Sequence, residues 1–220
     1  MADGRNRGQP MVNEVRIYIE GGGEGKNTKA LVRQGFSSFF KELVQVAQSK
    51  KIKWNITLCG SRNNAFRDFK NALEDRPNAF IILLVDSEAP VKLKQRPWEH
   101  LKSRDNWDSP AGVDETHCYL MVQAMEAWFM ADIDTLKIFY GQGFKENAIP
   151  KNTNVEMIEK DLLERSLKAA RRDTKSKGEY KKIQHASKLL EMLDVDKVRQ
   201  ASSECDRIFT TLTELMEQGN

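Results

Sequence analysis

Three carboxylates in this 220-residue chain stand where side chains can do chemistry. Glu20 ends the alternating apolar run Val15-Arg16-Ile17-Tyr18-Ile19 and is followed by the glycine cluster Gly21-Gly22-Gly23-Glu24-Gly25. The pattern reads as a buried strand that delivers an acid to the rim of a sheet. Asp86 and Glu88 follow the continuous apolar run Phe80-Ile81-Ile82-Leu83-Leu84-Val85, the composition of a strand covered on both faces. If the two strands are parallel neighbours, the three acids meet at one carboxyl-terminal edge, where open α/β sheets place their sites. Crowded carboxylates raise one another's pKa, and a divalent cation relieves the repulsion. Magnesium, or manganese in its place, suits such oxygen ligands, and metal-assisted hydrolysis of a phosphodiester is the chemistry they serve. Glu20, Asp86 and Glu88 are therefore the expected catalytic and metal-binding acids. Asp86 and Glu88, two positions apart in extended chain, are expected to project to one side.

Two further acids are candidate metal ligands: Glu24, four positions after Glu20, and Glu126, which sits in an otherwise apolar helix where a carboxylate needs a partner. The candidate nucleic-acid contacts are Lys26, Arg62, Lys151, Arg171, Arg172 and Lys181. The last three belong to the most basic stretch, Lys168 to Lys182, which reads either as a track for a phosphate backbone with Tyr180 for stacking or as a solvated face. The glycine cluster is not a P-loop. That motif needs glycine where Glu20 stands and Ser or Thr where Asn27 stands.

The elements that must position these residues follow from periodicity. Apolar residues from Leu31 to Ala47 predict one amphipathic helix over 28–48, capped by Asn27 or Thr28. Trp54 to Cys59 predicts a second strand, Ala65 to Glu74 a second helix, and Ala79 to Val85 a third strand. Strand-helix-strand-helix-strand is the order that builds a parallel sheet. Residues 89–115 read as a long irregular insertion bordering the acidic edge. A fourth strand over 117–122, a short buried helix over 124–132 and a helix from Ile133 to Tyr140 follow, and helical spacing recurs over 155–170, 180–193 and 204–216. The expected organisation is a flexible tail over 1–12, an α/β domain with a mainly parallel sheet flanked by helices over 13–149, and a helical subdomain over 150–220 packed on it.

Composition bounds the rest. A hydrophobic share of 40% and a charged share of 30% are those of a globular chain. No apolar run approaches the roughly 20 residues that span a bilayer, so no membrane association is expected, and with no leader-like opening a cytoplasmic location is. A net charge of +3 does not diagnose a nucleic-acid binder by itself. Cys59, Cys118 and Cys205 are too scattered for a disulfide framework or a zinc site.

The segments Ile17-Tyr18-Ile19-Glu20-Gly21 and Leu84-Val85-Asp86-Ser87-Glu88 resemble the two motifs of the Toprim fold, shared by topoisomerases, bacterial primases and the overcoming-lysogenisation-defect nucleases. In that family the first motif supplies a glutamate and the second a D-x-D that binds magnesium; Glu88 here replaces the second aspartate. Met125-Glu126-Ala127-Trp128-Phe129-Met130-Ala131-Asp132, Ile149-Pro150-Lys151 and Tyr180-Lys181-Lys182 resemble a narrower Toprim-like group, the bacterial domain of unknown function 4276. Its members are often encoded beside an ABC-type ATPase in phage-defence settings. The resemblance implies a magnesium-dependent nuclease acting on DNA or RNA with an ATPase partner, and leaves self-association open. The competing expectation is a non-catalytic module that uses the same sheet to dock on a partner.

Overall fold

The computed structural model describes residues 12–174 and 182–218; the expected tail, up to residue 11, and Lys181 lie outside them. The first half alternates strand and helix: β1 (Glu14–Glu20), α1 (Lys26–Phe39), α2 (Lys41–Ser49), β2 (Lys53–Gly60), α3 (Arg62–Asp75) and β3 (Ala79–Asp86). The helix expected over 28–48 is two. It breaks at Phe40, and the break lets the adjacent rings of Phe39 and Phe40 both be buried, with Phe40 against Trp54 and Phe209. Nor does Thr28 cap it. Gly25 is the N-cap without a side-chain bond, and the Thr28 hydroxyl donates to the Gly25 carbonyl.

The insertion is not structureless: it contains α4 (Pro97–Asp105). Pro97 stands in the first turn, Glu99 closes a capping box with Arg96, and Asn106 stops the helix in the left-handed conformation. Its buried Trp98 and Leu101 pack with Phe69 of α3, and Trp107 stacks on Phe66 at 4.2 Å. Then come β4 (Cys118–Met121), α5 (Glu126–Met130), α6 (Ile133–Tyr140), α7 (Lys160–Arg171), α8 (Lys182–Met192), α9 (Val195–Ala201) and α10 (Ser203–Gln218). The helix α9 was not expected from periodicity. Among the described residues no helix is long and apolar enough to cross a membrane.

The four strands form an all-parallel sheet in the order β2-β1-β3-β4, as the α/β reading requires. The chain runs from β1 outward to β2, then returns past β1 to β3, so crossovers of one hand place their helices on opposite faces. The cores agree. Val32, Phe36 and Phe39 of α1 share one with Val15, Ile17, Ile19, Ile82 and Leu84, whereas Ala65, Phe69 and Ala72 of α3 share the other with Tyr18, Ile81, Leu83 and Val85. The outer edge of β4 is closed by side chains. Arg207 of α10 donates to the Glu115 and Cys118 carbonyls, and the Leu120 N–H donates to Glu204.

The C-terminal helices join the first of these cores through Leu189, Leu190, Leu212 and Met216. Helix α8 crosses α1 at Gly35, where a Cβ would stand 2.7 Å from the Ser187 carbonyl oxygen, while the Ser187 hydroxyl donates to the Leu31 carbonyl. Asp132, with a side chain 2% exposed, joins α6 to α9: it accepts from the Thr135 N–H and hydroxyl, the Asp194 N–H and the Lys197 ammonium. Burial alone would raise its pKa, but these donors bring it below the ordinary carboxylate value.

Two outcomes follow for unfolding experiments. Gly35→Ala gains about 1 kcal/mol of helix propensity yet destabilises the protein by about 1–3 kcal/mol, because backbone must move to admit the methyl; an unchanged or raised melting temperature would contradict the close crossing. Asp132→Ala costs about 3 kcal/mol at neutral pH. Since the folded-state pKa is depressed, that difference is full above the ordinary carboxylate value and shrinks as pH falls through the lower folded value.

Candidate functional site

Because β1 and β3 are paired in parallel with Ile19 beside Leu84, Glu20 and Asp86 reach the same end of the sheet. By alternation Glu20 leaves on the Tyr18 face and Asp86 on the Leu84 face. A register shift between Ile19 and Glu20 brings the first acid over the strand end, where its Oε2 accepts from the Asp86 N–H at 3.3 Å. The glycine loop is tied down by the reciprocal bonds Gly21 N–H to Gly60 O, 2.8 Å, and Gly60 N–H to Gly21 O, 2.9 Å. Gly22 has φ +82°, and a Cβ there would meet Lys29 Cα at 3.2 Å and Leu58 Cβ at 3.3 Å, so the loop can lie this close only with glycine.

The chain is not extended from Asp86 to Glu88, contrary to the sequence expectation. Glu88 is left-handed at φ +63°, since Ser87 N–H and Glu88 N–H follow the Met121 and Gln123 carbonyls across from them. Asp86 Oδ1 accepts from the Met125 N–H at 2.9 Å, and Glu88 Oε2 accepts from Lys160 Nζ at 2.5 Å with Arg104 3.8 Å away. The buried His100 ring bonds the Ser87 carbonyl at 2.9 Å and fixes the turn between the two acids.

Glu20, Asp86, Glu88 and the buried Glu126 line one cavity of about 350 Å³. Gly21, Gly22, Gly23 and Gly60 contribute backbone, and Val32, Met121, Met125, Ile183 and Ala186 contribute apolar surface. None of the described lining residues is basic. A larger, open depression of about 680 Å³ lies along α4, but its charges are paired among themselves, Glu99 with Arg96 and Lys102 with Asp108, and no strand end reaches it. Burial pushes the Glu20 carboxyl above its ordinary pKa, and the Glu88 charge adds to the rise; Arg62 and the Asp86 N–H oppose it.

The expected residues divide. Glu20, Asp86, Glu88 and Glu126 come together; Glu24 is exposed and not part of the lining. Arg62, expected to hold substrate phosphate, is instead bound within the protein. Its guanidinium reaches Glu20 at 3.0 Å, grips both oxygens of Asp105 at 3.1 and 2.6 Å, donates to the Asp86 carbonyl and lies over Trp107. The reason is position: as the first residue of α3 it follows β2 directly and emerges at the acidic edge. Lys26 is exposed at the start of α1, and Lys151 is exposed in a separate depression beside Lys197. Arg171 is half-buried at the end of α7, and Arg172 is exposed and paired with Asp173. Sequence reasoning did not single out Lys160, Asp105 or Arg104. An acid at a strand end facing Arg62 at a helix start signals that further charges must balance there, yet nothing local names which.

Whether a divalent ion suits these residues turns on their chemistry and spacing. The donors are all oxygen, as magnesium prefers. As the side chains stand, no three His, Cys, Asp or Glu among the described residues are grouped to hold an ion; Glu20 is paired with Arg62 and Glu88 with Lys160. In donor chemistry the set fits the ion.

Among known families, the model described as Domain of unknown function (DUF4276) matches residues 19–213, from the end of β1 into α10. No curated protein and no solved structure matched the chain.

The raised pKa means that the fold disfavours ionised Glu20 even with Arg62 beside it. Glu20→Gln is therefore expected to melt no lower than the parent protein at pH 7. Any gain closes as pH falls through the raised folded value toward the unfolded one, where both side chains are neutral. A loss of stability at pH 7 would show that the Arg62 pair outweighs burial.

Proposed function

The chain belongs to the DUF4276 family, and for it we propose a magnesium-dependent hydrolase of nucleic-acid phosphodiesters, built on a Toprim-like sheet. One observation carries the reading: four carboxylates from three segments line a single cavity at the carboxyl ends of parallel strands, beside the point where the strand order reverses. Asp86, Glu88 and Glu126 are the residues that would hold the ion, once Glu88 leaves Lys160. When bound, the ion supplies charge neutralisation at the phosphoryl oxygens and lowers the pKa of water.

Glu20 has the attributes of the base. Its pKa is raised by burial, which brings it closer to the working pH of a proton acceptor, and the Asp86 N–H and Arg62 hold its Oε2 in place. Arg62 is a positioning residue, fixed from behind by Asp105 of α4. The proposal extends to the setting that the resemblance implies: an effector of antiphage defence in the cytoplasm, acting with an ABC-type ATPase. The neutralisation of Glu20 by Arg62 and of Glu88 by Lys160 also supports a second reading, a non-catalytic module whose acids are structural.

Incubation of the full chain with mixed DNA and RNA, with magnesium or manganese and with or without the neighbouring ATPase, separates the two. The hydrolase is expected to cleave, and Asp86→Asn or Glu88→Gln to reduce cleavage about 100-fold or more with an unchanged circular dichroism spectrum. Cleavage that survives both substitutions would end the proposal. Absence of cleavage together with absence of Asp86-dependent metal binding would favour the module.

A further inference from the structure

Resting on the hydrolase reading, we infer that the cavity takes one unpaired nucleotide of a single-stranded chain, and that base-paired duplex is a poor substrate. The first ground is size. About 350 Å³ lies at the low end of the roughly 300–1,000 Å³ that enclose one small ligand. It has room for a single nucleotide and none for the stacked pair on either side. Glu126 is the deepest of the acids, 4% exposed, so a phosphodiester reaches it only if its own sugar and base enter.

The lining is the second ground. Acids come from the sheet edge, whereas Val32 of α1 and Ile183 and Ala186 of α8 add apolar surface, joined by Met121 and Met125. Aliphatic and thioether side chains of this kind take the face of an unstacked base out of water. In a duplex that face is already covered by its neighbours, and the pair and stack must be broken to expose it.

The test uses the full chain and one labelled oligonucleotide, presented alone or in a blunt duplex. Binding is read by fluorescence anisotropy in calcium and cleavage in magnesium. The single strand is expected to bind and to be cut at least about tenfold better, the factor set by unstacking one nucleotide. Ile183→Ser, at a half-buried position packed on the first core, is expected to weaken single-strand binding about tenfold in protein shown by circular dichroism to be folded at the assay temperature, and Ile183→Leu to bind as the parent does. Duplex bound and cut as well as single strand would overturn the inference while leaving the hydrolase in place. A nucleoside monophosphate that binds in an Ile183-dependent manner, with no oligonucleotide cut, would overturn the hydrolase and assign the cavity to free nucleotides. Loss of neither ligand in Ile183→Ser would overturn the inference on its own.

Discussion

Like charges at the end of a parallel sheet set the terms for the rest of this molecule. Glu20, Asp86, Glu88 and Glu126 face one cavity, and each would raise the pKa of the others if left uncompensated. The fold answers with cations carried by separate elements: Arg62 from the start of α3, held by Asp105 at the end of α4, and Lys160 from the start of α7. The compensation is incomplete at Glu20, whose pKa stays high. A structure selected only for stability would have little reason to keep an acid there.

The surrounding architecture follows from that arrangement. The reversal of strand order places β1 centrally and opens a crevice at its carboxyl end, which the glycine loop can border without filling. Helix α4 anchors Arg62 and is itself anchored by Trp98, Leu101 and Trp107 against α3. The inserted segment is thus part of the site's electrostatics.

Much of this was legible in the sequence, and the failures have physical causes. The apolar run 80–85 and the alternating run ending at Glu20 located two strands whose pairing and direction then put the acids together. Each strand's burial pattern is local, and the sheet's ends follow from connection lengths. Partnership is a different matter. The guanidinium of Arg62 reads as a free phosphate ligand until Asp105, 43 positions later, is known to grip it, and Lys160 lies 72 positions from Glu88. The break at Phe40 was also hidden, because both halves keep the 3.6-residue period and only the demand to bury two adjacent rings separates them. Helix α4 carried its signals, Pro97 and a capping pair, inside a stretch whose charges masked them.

The C-terminal helices show why the charged tail is inseparable from the acidic edge. Helix α8 approaches α1 closely enough that Gly35 can carry no side chain, and that approach puts Ile183 and Ala186 against the cavity. Helix α7 begins with Lys160, whose backbone N–H is held by Gln123 and whose ammonium meets Glu88. Helix α8 therefore supplies part of the cavity's apolar surface and α7 one of its compensating charges.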